Sequence, residues 1–186
     1  MSIVRKVKKK IEAFSLKHKW FRPFFLRTKF FVKSFKYRMS SITHMTDKKT
    51  VVFESFWGKS CSCSPKGIYE AMLKDERFKD YQFIWSVTRE YDHLVLLDNP
   101  NTTLVWHNSQ RYHRAFTTAK YWLYNMSIPD YMRPKKNQTY IETWHGIPMK
   151  RVGCDVIYDS DFRRSKEETR RTFAKKGAKM AYLLSP

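Results

Sequence analysis

Between residues 50 and 184 short apolar runs alternate with amphipathic stretches, and that alternation limits the fold more than any other feature. Residues 50–56, 81–87, 102–106, 121–125, 140–143 and 180–184 are short, aromatic or β-branched, and bounded by polar residues, which predicts six strands. The stretches between them carry helical spacing. Ser64 with Pro65 opens a helix through Ile68, Met72 and Leu73, and Ser109 caps one across Tyr112, Ala115, Phe116 and Ala119. Ser160 or Asp161 starts a charged helix through Phe162, Thr169, Phe173 and Lys176, ended by Gly177. Strands separated by helices predict an α/β fold, a parallel sheet with helices on both faces. A length of 186 residues fits one such domain and an extension. The expected division is 1–45 for the extension and its linker, with residues 40–49 polar, and 46–186 for the domain.

The extension has its own chemistry. Up to Tyr37 it holds twelve Lys and Arg against one acid, Glu12, a net of +11 out of +20 for the whole chain. Ile3, Val7, Ile11 and Phe14 fall on one helical face. Pro23 is expected to break that helix. A second segment then places Phe24, Phe31 and Phe35 on one side, with Trp20, Phe25 and Phe30 nearby. Aromatic residues on one side and basic ones on the other predict an amphipathic helix at an anionic membrane surface, with Lys8, Lys9, Lys10, Phe14, Trp20, Phe24 and Phe31 in contact. Ordinary packing on the domain, a nucleic-acid arm and a disordered tail are the competing readings. The charge alone suits nucleic acid, yet no recognition motif for it is visible, so no nucleic-acid partner is expected.

Three cysteines, Cys61, Cys63 and Cys154, are too few and too irregular for a disulfide framework or a zinc site, and are expected to be reduced thiols. No apolar run reaches the length of a membrane span, and the N-terminal apolar residues are too interrupted by charge for a secretory signal. His93, His107 and His113 show no ligand or triad spacing and are expected on the surface or in packing. No carboxylate cluster marks a metal site.

The stretch Tyr140-Ile141-Glu142-Thr143-Trp144-His145-Gly146-Ile147-Pro148-Met149-Lys150-Arg151 concentrates the functional signal. A short strand leads into Trp-His-Gly, and Pro148 opens a helix. His145 therefore sits at a strand-to-helix turn, where open α/β sheets bind ligands. Gly146 gives the turn, and Lys150 and Arg151 lie by a helix start that favours anions. On pattern alone two readings stand: a structural turn histidine, or an acid–base group at a phosphate site.

The longer run from Glu142 to Asp155 resembles the TWHGTPxKxxGxD signature of the CDP-glycerol glycerophosphotransferase family, the teichoic acid primases and polymerases. Ile147 stands where that signature has Thr. A second block, Phe53-Glu54-Ser55-Phe56-Trp57-Gly58-Lys59-Ser60 with Pro65, Ile68, Tyr69 and Glu70, is similar to the family's FESFxGKS run. It is not a P-loop, because the earlier Gly and its spacing are missing. The resemblance covers residues 51–186. It implies two Rossmann-like halves in a GT-B arrangement, of which this sequence reads as the N-terminal one, and it implies that the fragment alone turns over little.

The reaction the resemblance implies is transfer of glycerol phosphate, or ribitol phosphate, from a CDP-alditol such as CDP-glycerol to a lipid-linked glycerol phosphate acceptor. It would take place peripherally on the cytoplasmic face of the bacterial membrane and release CMP, and the donor pyrophosphate could bring Mg²⁺. His145 is then the general base. Gly146, Lys59, Lys150 and Arg151 contact phosphate, and Asp155 holds Arg151 or a substrate hydroxyl. Two alternatives accompany it: a split subunit that works with a separate C-terminal half, and a docking remnant without chemistry.

Overall fold

The computed structural model describes residues 7, 10, 13–18, 20–88, 98–146, 151, 153–156 and 165–184. The expected helical positions Ile3 and Ile11, the membrane-contact residues Lys8 and Lys9, and His93, Pro148, Lys150 and Phe162 lie outside them. Residues 13–17 are helical, followed by α1 (Phe21–Thr43), β1 (Asp47–Glu54), α2 (Cys63–Lys74), β2 (Gln82–Val87) and β3 (Thr102–Trp106). Then come α3 (Gln110–Thr118), β4 (Ala119–Tyr124), β5 (Thr139–Glu142), α4 (Lys166–Gly177) and β6 (Tyr182–Leu183).

All six strands are parallel, in the order β3-β2-β1-β4-β5-β6. The order reverses between β1 and β4, so the crevice for a ligand opens at the carboxyl ends of those two strands. Val51, Val52 and Phe53 have no exposed surface, as expected for a central strand covered on both faces. On one face Tyr37 of α1 and Tyr112 and Phe116 of α3 pack against Val52, Trp122, Tyr124 and Tyr140. On the other face Tyr69 of α2 joins Phe53, Phe83, Trp85 and Leu123. The expected two-faced Rossmann-like architecture is the observed one.

Local boundaries differ in four places. Pro23 does not interrupt a helix, because α1 starts at Phe21 and places Pro23 in its first turn, where a missing N–H leaves no bond unmade. Residues 40–49 are no linker: α1 continues to Thr43 and β1 begins at Asp47. α2 starts after Ser62 rather than Ser64, and Pro65 again falls in the first turn. α4 starts after Ser165, not at residue 160 or 161. The Ser165 hydroxyl accepts from Glu168 N–H and the Glu168 carboxylate accepts from Ser165 N–H, a complete capping box.

α1 is two-sided. Tyr37 is 4% exposed and donates to the Arg133 carbonyl at 2.8 Å. Around it Lys33 reaches Asn108, Ser40 pairs with Thr117, and Lys135 donates to the His44 carbonyl. Phe24, Phe31, Phe35 and Ile42 lie on the opposite side and are exposed, as is Trp20 just ahead of the helix. Phe14 is also exposed and rests on the rings of His18 and Phe21, and Lys10 is exposed. No described helix is long and apolar enough to cross a membrane.

Candidate active site

The carboxyl edge of the sheet is where the chain adopts backbone that side chains resist. Phe56 (φ 48°) and Trp57 (φ 57°) follow β1, Asn108 (φ 60°) follows β3, and Trp144 (φ 57°) follows β5. Left-handed backbone costs a non-glycine residue on the order of 1–2 kcal/mol, and such residues gather where geometry is functional. Gly58 (φ 79°) is forced by space as well, since a Cβ there would lie 3.1 Å from the Cα of Val87 and 3.2 Å from the Ser86 carbonyl oxygen. Gly146 has φ 123°, a conformation in which L side chains are strained.

His145 stands at this edge, exposed, directly after β5. Its Nδ1 lies 2.8 Å from the Asn125 carbonyl oxygen, just past the end of β4. A carbonyl can only accept, so Nδ1 donates and a neutral ring keeps its lone pair on Nε2. The ring is steadied by Phe56, edge-on at 5.9 Å, and by Trp144 at 5.0 Å. The Asn125 side chain in turn accepts from Phe56 N–H at 2.9 Å. Asn125 thus ties the loop after β1 to the histidine after β5, across the switch point. An imidazole pinned by one nitrogen, with the other basic and exposed, is built to take a proton.

Two carboxylates line the same edge. Glu54, Tyr124 and Glu142 are direct register partners across β1, β4 and β5. Glu54 is fully buried and its Oε2 lies 3.0 Å from His107 Nδ1. Glu142 accepts from the Tyr140 hydroxyl. Burial pushes the Glu142 carboxyl above its ordinary value, while the Tyr140 hydroxyl and the nearby His145 pull it back. Both acids keep one buried oxygen without a protein partner, as do Ser86 Oγ and Asn125 Nδ2 on the same edge.

Of the expected phosphate-contact residues, Gly146 adjoins His145, and Lys59 is exposed on the loop that brings Phe56 to it. Arg151 and Asp155 are exposed near the short turn Gly153–Asp155, against which Phe173 of α4 packs. Asn125 and His107 join Phe56 and Glu54 of the second sequence block at this edge, two pairings that the sequence did not reveal. His107 had been expected only on the surface or in packing. His113 is a packing residue, bonded to Tyr131 and held neutral by burial, which lowers its pKa to about 4. All three cysteines are free. Among the described residues no group of three or more His, Cys, Asp or Glu side chains is placed to hold a metal.

A Rossmann-type parallel sheet with an exposed histidine beside its switch point is an arrangement suited to holding a nucleotide or a phosphate group. The chain belongs to the CDP-Glycerol:Poly(glycerophosphate) glycerophosphotransferase family, which matches residues 35–186. It is 37% identical over 157 residues to a teichoic acid poly(glycerol phosphate) polymerase of Staphylococcus epidermidis, covering 81% of this chain and 21% of that protein. It is 31% identical over 145 residues to a teichoic acid glycerol-phosphate transferase of Staphylococcus aureus, covering 78% and 36%. Among solved structures, the wall teichoic acid polymerase TagF superposes with a TM-score of 0.70 at 34% identity, over 89% of this chain and 41% of that one. A variant of that polymerase soaked with CDPG gives 0.69 at 33% identity. The chain therefore spans 21% to 36% of the length of these curated relatives.

Proposed function

We propose that this chain supplies the acceptor-activating part of a glycerophosphotransferase, which moves glycerol phosphate from CDP-glycerol to a lipid-linked glycerol phosphate acceptor and releases CMP. The observation that supports it best is the bond from His145 Nδ1 to the Asn125 carbonyl, which leaves Nε2 as the base. The acceptor hydroxyl gives its proton to Nε2 as its oxygen attacks the β-phosphorus of the donor. The bond from that phosphorus to the bridging oxygen breaks, and CMP leaves with the electron pair. A positioned base of this kind contributes about 10²- to 10⁴-fold. Lys59 and Arg151, with Lys150, offset charge on the transferred group.

We place the reaction at the cytoplasmic membrane surface. The supporting observation is that Phe24 and Phe31 are 66% and 69% exposed on the side of α1 opposite buried Tyr37.

The test is CMP release from CDP-glycerol with a lipid-linked acceptor, by this chain alone and with a C-terminal half of a relative supplied in trans. Turnover that His145→Ala abolishes while the fold stays intact is the expected result. Turnover unchanged in His145→Ala overturns the role of His145. No turnover in either mixture, with vesicle binding intact, overturns the transferase reading in favour of a membrane-docking module.

A further inference from the structure

Away from His145 a second feature stands out. A cavity of about 700 Å³ opens between the connection from β4 to β5 and the end of α4, a volume within the range of small-ligand sites. Its lining includes Arg133, Lys135, Lys175 and Lys179 against one acid, Asp130. Among the described residues, no carboxylate forms an ion pair with any of the four cations.

The fold holds these charges together deliberately. The Lys179 amine donates to the Asp130 carbonyl at 3.0 Å and also approaches that of Pro129 at 3.5 Å, and the Lys135 amine donates to the His44 carbonyl. An ammonium has three donors, so both keep capacity for an anion. Burial lowers the pKa of each; for Lys179 the Asp130 carboxylate pulls it back up, while Arg133 and Lys176 add to the lowering. A bound anion would relieve that repulsion.

We infer that this cleft binds a glycerol phosphate phosphodiester chain, a segment of the acceptor polymer remote from the reacting end. The inference rests on the transferase reading above and gives it an acceptor subsite. Three features favour a chain over a lone phosphate. The cations come from three separate elements: the 129–138 connection, the last turn of α4 and the residues just before β6. Asp130 and Thr172 also line the cleft and can accept from hydroxyls, the Thr172 hydroxyl donating its own proton to the Glu168 carbonyl, which suits a chain that alternates phosphate and hydroxyl. The cleft wall includes Tyr140 of β5, the strand that leads to His145 five residues on. The Tyr140 hydroxyl donates to Glu142, on the catalytic edge.

The test is calorimetric titration of the full chain with a defined glycerol phosphate oligomer, with inorganic phosphate and with phosphatidylglycerol vesicles as separate arms. Arg133 and Lys175 are both exposed, so their reversal spares the core. Arg133→Glu with Lys175→Glu should weaken oligomer binding by about tenfold or more, with an unchanged circular dichroism spectrum. An oligomer affinity within about twofold of the parent overturns the inference. So does inorganic phosphate binding as tightly per phosphate as the oligomer, or a loss confined to the vesicle arm. If the double variant unfolds, Lys175→Glu alone carries the same test. Because no donor and no chemistry is involved, failed CMP release with intact oligomer binding refutes only the transferase reading. The reverse pattern refutes only the cleft.

Discussion

Replacing Phe24 and Phe31 together by serine should detach the chain from anionic vesicles without unfolding it. The size of the effect follows from exposure. The rings are 66% and 69% exposed, so about two-thirds of each remains to be buried by a lipid surface. Full burial of a Phe is worth about 1.5–3 kcal/mol, so each ring offers about 1–2 kcal/mol and the pair about 2–4 kcal/mol. That corresponds to roughly 30- to 700-fold in partition. The matched control works on the other side of the same helix. Tyr37→Phe removes the 2.8 Å bond to the Arg133 carbonyl and should cost about 1–2 kcal/mol of folding stability. It leaves the outward side untouched, so vesicle binding should be unchanged. Co-sedimentation with phosphatidylglycerol vesicles reads the first quantity and urea denaturation the second. Serine variants that bind within about threefold of the parent would refute the reasoning. So would a Tyr37→Phe protein that loses vesicle binding in step with them, because the two sides would then not be independent.

Two further outcomes concern the carboxyl edge. Burial raises the folded pKa of Glu142 above its ordinary 4.5, so the folded state holds this proton more tightly than the unfolded chain does. Its contribution is therefore intact below pH 4.5 and is lost as pH rises through the higher folded value. Glu142→Gln should remove that fall and flatten the dependence of the urea midpoint on pH, and parallel curves for the two proteins would contradict it. Gly58→Ala should destabilise by about 2–4 kcal/mol, from left-handed backbone and a Cβ pressed on the Val87 backbone. A urea midpoint equal to the parent's would show that the loop after β1 yields more easily than its contacts indicate.

The parts of this fold legible in the sequence are those set by local pattern. Val51 to Phe53 and Phe83 to Val87 read as buried strands because a central parallel strand is apolar on both sides. Ser109 read as a cap because its hydroxyl meets Tyr112 N–H three residues on. Pattern placed the start of α2 at Ser64, two residues late, because Pro65 fits any position of a first turn, and it passed over Ser165 with Glu168, the capping box that starts α4. The position of His145 at a strand end was legible for the same local reason. Its partner was not, since Asn125 lies twenty residues earlier and meets it only because β4 and β5 are neighbours. The Glu54–His107 pair spans 53 residues and depends on strand order in the same way. Helical periodicity revealed the aromatic side of α1, but not that Tyr37 on the other side anchors it.

α1 runs alongside α3 in the same direction, from Asn108 beyond the carboxyl end of β3 down to His44 and Lys135 near the start of β5. Lys33 marks the level of the carboxyl edge. The twelve helical residues before it add about 18 Å of rise. A straight helix would therefore overhang the edge on which His145 stands. A lipid surface that takes up Phe24, Phe31 and Phe35 would consequently lock the domain against tumbling and lay the strands nearly flat. It would leave only rotation about the surface normal free. The base would ride at one fixed height, and an acceptor anchored in the same surface would reach it by two-dimensional diffusion.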